Sequence, residues 1–325
     1  MSGASAWFRK NWFVAGLAAA VALAFAAPGP GAPDGWMRPA LTTKAAVALI
    51  FFFQGLSLNL AELRAGIASW RLHVYVEGFV FVVFPLIGLL ADATVFRFLP
   101  ADLRTGFLFL CVLPSTISSC VVYTALAGGN TAGALFNASV SNVAGVVITP
   151  LWIGAMLSVG GHSFELASVI GSIASLVLLP LVIGQMVRPA IRATAVKATP
   201  IMRIVSSVLI LVMVYTAFAG SVAKGVWSGL GAGAIAGALV GSIGLFGLVL
   251  GLVWTSTRPA GLNAKDRIAA LMCAPQKTLA AGVPMAQLVF AGHPGLGLIL
   301  LPVLVYHPVQ LIVGAWLIPR LRGRG

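Results

Sequence analysis

A chain of 325 residues that is 60% hydrophobic and only 8% charged, with mean hydropathy +1.04, does not fit a soluble globular domain. A net charge of +13 would suggest a nucleic-acid partner in a soluble protein. Here the basic residues sit between apolar runs, so membrane topology accounts for them and no nucleic-acid partner is expected. Cys111, Cys120 and Cys273 fall inside apolar segments at spacings that suit neither a disulfide framework nor zinc, and they read as small buried hydrophobes.

A helix needs about 20 apolar residues to cross the hydrocarbon of a bilayer. Such runs predict spans near 11–27, 40–58, 72–91, 104–127, 131–157, 164–187, 201–219, 229–254, 267–291 and 296–318. Ten spans make two sets of five, and an odd number per half turns the second half upside down relative to the first. The expected fold is therefore an all-α polytopic membrane protein built from two inverted five-helix repeats. It forms one membrane domain over 1–325, with repeats at about 7–158 and 163–319. No segment between spans is long enough for a separate soluble domain.

The basic residues test this count. With the N-terminus inside, the cytoplasmic segments hold Arg9, Lys10, Arg64, Arg71, Arg188, Arg192, Lys197, Arg203, Arg258, Lys265, Arg267, Arg320, Arg322 and Arg324. The opposite side holds Arg38, Arg97, Arg104 and Lys224, together with the acids Asp34, Asp92, Asp102 and Glu165. Fourteen basic residues against four follow the positive-inside rule and predict that both termini are cytoplasmic; the expected location, a bacterial inner membrane, does not follow from the charges. The first span has a second reading, because Arg9-Lys10, an apolar run and Ala24-Phe-Ala26 also resemble a signal peptide. Retention of that helix completes the five-plus-five count.

Along the chain, polar groups inside spans mark candidate sites. Lys44 sits early in the second span, where it reads first as a snorkelling residue and second as a substrate contact. Glu77 is the one acid well inside a span, eight residues before Pro85. The fourth span is interrupted by Pro114, followed by Ser115, Thr116, Ser118 and Ser119; the ninth by Pro275, followed by Gln276, Lys277 and Thr278. Proline removes a backbone donor and disfavours helix in the residue before it. The freed backbone groups cannot face lipid, so they are buried in protein or line a wet cavity. Two such breaks at matching places in two chain halves point to a transporter's binding site. Asn137 and Ser141 share one face of the fifth span, which Gly145 continues; the glycine reads as a close helix contact and the polar pair as either interhelical bonds or ligands. His307 and Gln310 lie one turn apart in the tenth span, the histidine either a proton relay or a buried group with one partner.

The halves also share Ala127-Gly128-x4-Gly133 and Ala291-Gly292-x4-Gly297, each following a broken span. With these motifs in view, the chain resembles the bile acid:sodium symporter superfamily. The resemblance is carried by Leu113–Ser119, Leu126–Asn142, Ile148-Thr-Pro150, Gln276–Met285, Val289–Gly292 and Val305–Gln310, and it covers nearly the whole chain. The branch it resembles most contains the seventh vertebrate bile acid cotransporter family member and its bacterial relatives. The resemblance implies that helices four and nine cross at their breaks, with helices 1, 2, 6 and 7 forming a panel domain and helices 3–5 and 8–10 a core domain.

In sodium-coupled members of that superfamily two cations sit behind the crossing. Carried onto this chain, the fourth-helix ligands fall on Ser119 and Cys120 and the fifth-helix ligands near Ala138, Ser139 and Asn142. A Na+ site at Ser119, Asn142 and Gln276 follows from the resemblance, and neutral oxygens suit that ion. Two departures stand against it. Met272 occupies the place of a glutamate, and Lys277 that of an asparagine. We therefore expect Lys277 to occupy the place of a sodium ion and to neutralise half-helix carbonyl ends. Glu77 lies near an amide position of the relatives' third helix, and three roles stand open for it: a displaced cation ligand, a proton-coupling carboxylate or the counter-ion of Lys277.

The function expected is secondary transport of a small solute, an organic anion, by alternating access, with Na+ or H+ as the coupling ion in question. Half-helix N-termini carry partial positive charge and favour an anionic solute. The alternative, implied by the branch it resembles, is a membrane regulator of calcium homeostasis. An intramembrane enzyme is not expected, because the chain has no HExxH, no Asp-rich metal motif and a single deeply placed acid.

Overall fold

Proline and glycine decide where the helices of this chain stop, bend and approach. In the computed structural model, residues 3–58, 66–159 and 171–322 are described; Arg64, Glu165, Arg324, the side chains of Arg9 and Lys10 and the start of the span expected at 164 lie outside them. Among the described residues all regular structure is helical. The elements in chain order are α1 (Gly3–Ala26), α2 (Pro39–Ser57), α3 (Trp70–Ala93), α4 (Ala101–Val112), α5 (Ser118–Leu126), α6 (Thr131–Val159), α7 (Gly171–Val187), α8 (Arg192–Ala223), α9 (Ala232–Ser256), α10 (Ala264–Cys273), α11 (Leu279–Val289) and α12 (Leu296–Leu321). Six of them, α2, α3, α6, α8, α9 and α12, are long and apolar enough to cross a membrane.

Two of the helices carry a π-turn, and both are explained by a proline two residues after it. In α3 the turn covers Phe79–Val83 and precedes Pro85; in α7 it covers Ala174–Leu178 and precedes Pro180. A proline has no N–H and clashes with the carbonyl four residues back, so the helix widens there. In α3 the N–H of Phe84 reaches back to Phe79 O, which leaves the carbonyls of Val80 and Phe81 without helical donors.

Contacts cluster into two units. The first comprises Met1–Ser57, Gly171–Leu230 and Val283–Leu300. Within it α2 and α7 meet through Gly55 and Gly184, where any side chain would run into the other helix's carbonyls at Leu181 and Phe52. Tyr215 donates to Ala27 O at 2.7 Å and Gln287 to Met213 O at 2.9 Å.

The second unit comprises Leu58–Ile170, Gly231–Gly282 and Leu301–Gly325. Its segments at one end are tied together: Asn130 N–H donates to Lys265 O at 3.0 Å, and Asn130 Nδ2 donates to Asp266 at 2.7 Å and Ser69 at 2.9 Å. Arg104 and Asp92 form a bidentate ion pair at 2.7 and 2.8 Å. The motif glycines Gly128 and Gly292 both have φ of +78°, the left-handed conformation that glycine adopts without steric penalty. Two positions matched by sequence thus share one uncommon backbone geometry.

Candidate functional site

The site in the second unit is built where two helices fail. Leu113–Ile117 separates α4 from α5, and residues 274–278 separate α10 from α11. The two interruptions are bonded to each other. Thr278 N–H donates to Pro114 O at 2.9 Å, Ser115 Oγ donates to Cys273 O at 2.7 Å, and Ser119 Oγ donates to Gln276 Oε1 at 2.5 Å.

The remaining backbone groups of the first break are taken up by α6. Ser141 Oγ accepts the Ser115 N–H at 3.0 Å, Asn142 Nδ2 donates to Ser115 O at 2.6 Å, and Thr149 Oγ1 donates to Val112 O at 2.7 Å. Gly145 lies on the same face, and a Cβ there would stand 2.7–2.8 Å from the Pro114 ring, so the glycine admits the proline. The second break is taken up by α12 in the same manner. Gln310 accepts the Lys277 N–H at 2.8 Å and donates to the Lys277 carbonyl at 2.9 Å, while Tyr306 donates to Pro275 O at 2.6 Å. Each broken span is therefore served by the span that follows it.

Lys277 is 1% exposed. Its Nζ donates to the carbonyls of Leu113 at 2.7 Å, Cys111 at 3.0 Å and Val80 at 3.3 Å, and stands 4.0 Å from the centroid of Phe84. These bonds use all three donors of an ammonium, and the aromatic face adds a cation–π contact. Cys111 and Leu113 end α4, where a helix carries partial negative charge. Val80 is available because the π-turn before Pro85 withdrew its helical partner. The other freed carbonyl, Phe81 O, accepts Trp152 Nε1 at 2.9 Å.

The other expected site residues fall around this centre. Ser115 and Thr116 are buried in the first break, and Thr116 O accepts Cys120 Sγ. Ser118 is exposed at the start of α5. Thr278 and Gln276 are buried in the second break. Asn137 bonds His73 Nδ1 at 3.1 Å, and His73 Nε2 bonds Gly66 O at 2.8 Å. Glu77, one turn beyond His73, is not ion-paired with Lys277 within 4 Å. Its carboxylate oxygens are buried without a hydrogen bond, with Lys277 and Ser141 as polar neighbours. The counter-ion role is thus not realised as a direct pair, because the carbonyls already saturate the ammonium. His307 Nδ1 bonds Gln310 Nε2 at 3.1 Å, which joins it to the second break.

The residues implied for sodium do not assemble a cation cage. Ser119 is bonded to Gln276. Asn142 has carbonyl acceptors at both contacts, Ser115 O and Ala138 O, so its Nδ2 faces them. The carbonyls that end α4 are held by an ammonium instead. This donor set does not fit a sodium ion. Tyr306, Thr149, Trp152 and the Val80 carbonyl were missed from sequence. Tyr306 was findable, since it lies one turn before Gln310 on the same face.

Comparison with known proteins identifies the family. The profile of the SBF-like CPA transporter family matches residues 11–323. Uncharacterized protein PA2026 of Pseudomonas aeruginosa is 35% identical over 282 residues, 87% of this chain and 84% of that protein. Sodium/bile acid cotransporter 7 of Rattus norvegicus is 32% identical over 321 residues, 97% and 93% of the two chains. Putative symporter YfeH of Escherichia coli K12 is 35% identical over 280 residues, 86% and 84%. The chain is a multi-pass membrane protein and belongs to the SBF-like CPA transporter family, of the bile acid:sodium symporter group.

Proposed function

We propose that this chain is a secondary active transporter of a small organic anion, working by alternating access around the two bonded breaks, and that Lys277 supplies in covalent form the positive charge a coupling sodium ion would bring. The observation that carries this reading is the ammonium on three backbone carbonyls, two of them at the end of α4. Carbonyl ends buried in a membrane need a cation or a donor, and a tethered one is present whether or not sodium is.

The reading treats the chain as one non-enzymatic membrane domain of ten spans in two inverted repeats, about 7–158 and 163–319. Four features support duplication: the matched breaks, the matched left-handed glycines, the service of each break by the following span and the shared AG-x4-G motif. The first contact unit holds α1, α2, α7 and α8, the set assigned to a panel, and the second holds most of the core set. Both termini are assigned to the cytoplasm of a bacterial inner membrane. In support, Ser69, Asn130 and Asp266, all on the expected inner side, are bonded together, as are Asp92 and Arg104 on the expected outer side.

Glu77 remains the one carboxylate at the centre, and the reading gives it the coupling proton if coupling occurs. The test is uptake of candidate anions into proteoliposomes in choline and in sodium buffers. Uptake in both, abolished by Gln276→Ala or Thr116→Val, supports the reading; uptake that requires sodium, or no uptake across a broad anion panel, contradicts it.

A further inference from the structure

Inside the second unit, α3 and α6 meet through polar groups spaced one helical turn apart. Ser69 at the cap of α3, then His73 and Glu77, follow at four-residue intervals and share one face. Asn130, just before α6, donates to Ser69 at 2.9 Å; Asn137 meets His73 at 3.1 Å; Ser141 is the polar neighbour of Glu77. The row starts at half-exposed Ser69 and Asn130 and ends at carboxylate oxygens that are buried without a hydrogen bond.

His73 stands between two acceptors. Its Nε2 lies 2.8 Å from Gly66 O, a carbonyl that can only accept. Its Nδ1 lies 3.1 Å from Asn137 Oδ1, and Asn137 Nδ2 donates to Gly133 O at 2.9 Å, which turns the amide oxygen toward the ring. A neutral imidazole has one N–H and would aim a lone pair at one of these oxygens; the imidazolium donates to both. The ring also lies against Phe136, with centroids 4.1 Å apart, and an aromatic face favours a cation.

We infer that His73 is a proton-binding site that relays the coupling proton between the half-exposed end of this unit and Glu77. In the transfer the Nδ1–H bond breaks and an O–H bond forms on a Glu77 carboxylate oxygen. Neutral imidazole and carboxylic acid result, and a proton from water at the half-exposed end restores the imidazolium. The inference rests on the transport reading only in taking Glu77 as the coupling carboxylate; the two acceptors around His73 do not depend on it.

The charged surroundings are few. Of the helices around this half of α3, α6 and α9 carry no titratable side chain. On α3 itself Arg71 lies against the Trp70 ring. The third neighbour, α10, carries exposed Lys265, Asp266 bonded to Asn130 and Asn263, Arg267 and Cys273. Glu77 has Lys277 and Cys273 as titratable neighbours. Glu62 and Arg64 lie outside the described residues.

The test is rapid infrared difference spectroscopy of the purified full chain in phosphatidylcholine nanodiscs, stepped from about pH 9 to about pH 5. The signal is the carboxylic C=O band of Glu77, identified by its loss in Glu77→Gln. In His73→Gln, which keeps an amide donor for Gly66 O, the band should rise more slowly by on the order of a hundredfold and reach the same height. Imidazole in the buffer should restore most of the rate in His73→Ala, which a purely structural histidine would not produce. In the histidine-labelled wild type, 15N spectra at about pH 5.5 should show both His73 ring nitrogens protonated. A rate in His73→Gln within about threefold of wild type would overturn the proposal, given the size expected of a proton relay. So would imidazole without effect on His73→Ala, a bare His73 ring nitrogen in the wild type, or no Glu77 band between about pH 4 and about pH 10. Both measurements run without a transported solute, so their failure leaves the uptake result standing.

Discussion

The side-chain amide of Gln310 closes on the backbone of Lys277, accepting its N–H at 2.8 Å and donating to its carbonyl at 2.9 Å. It stands in for the helical bonds that the second break removes. Gln310→Ala leaves two buried backbone groups unsatisfied, at about 1–3 kcal/mol each. Unfolding in detergent should show a loss on the order of 3 kcal/mol; a loss below about 1 kcal/mol would mean that water takes the amide's place.

Trp152 and Pro85 should be energetically coupled, although they lie in different spans. Trp152→Phe orphans the Phe81 carbonyl and should cost about 1–3 kcal/mol. In a Pro85→Ala background an N–H is restored at position 85, so the same change should cost less. A double-mutant cycle should give a coupling of at least about 0.5 kcal/mol, and additivity would show that the proline does not create the indole's acceptor.

Gly145 and Gly244 offer a contrast within one unit. An added Cβ at Gly145 meets the Pro114 ring, whereas one at Gly244 meets nothing within 4 Å. Gly145→Ala should displace the first break, destabilise by about 1–3 kcal/mol and abolish uptake. Gly244→Ala should be neutral or stabilise by roughly 0.5–1 kcal/mol through better helix propensity. Equal effects at both positions would contradict the packing argument.

Gly128→Ala and Gly292→Ala should cost the same. Neither added Cβ meets an atom within 4 Å, so only the left-handed φ of +78° is penalised, at about 1–3 kcal/mol. Unfolding measurements that differ by more than about 1 kcal/mol between the two would weaken the case for duplicated segments.

The breaks themselves were legible in the sequence, because proline followed by Ser, Thr, Gln or Lys inside an apolar run has few structural explanations. Lys277 was legible for the same reason, since no charge sits at membrane depth by default. Its cage was not. Two of its acceptors follow from Pro114, but Val80 depends on a π-turn set by Pro85, and prolines in this chain also sit inside continuous helices, as Pro150 and Pro302 do. Trp152 reads as an ordinary apolar-helix aromatic, because an indole donor shows its use only when an orphaned carbonyl faces it. The Glu77–Lys277 pairing looked reasonable from charge alone. It is not made directly, because backbone acceptors, which sequence does not display, reach the ammonium first.

The central claim is that Lys277 takes the place of a coupling cation, and thermal unfolding of purified protein in sodium and in choline tests it most directly. The wild type should unfold at the same temperature in both. Lys277→Glu, which removes the ammonium and supplies a carboxylate beside three carbonyls, should be destabilised in choline and regain stability as sodium is added. Sodium stabilisation of the wild type would contradict the account.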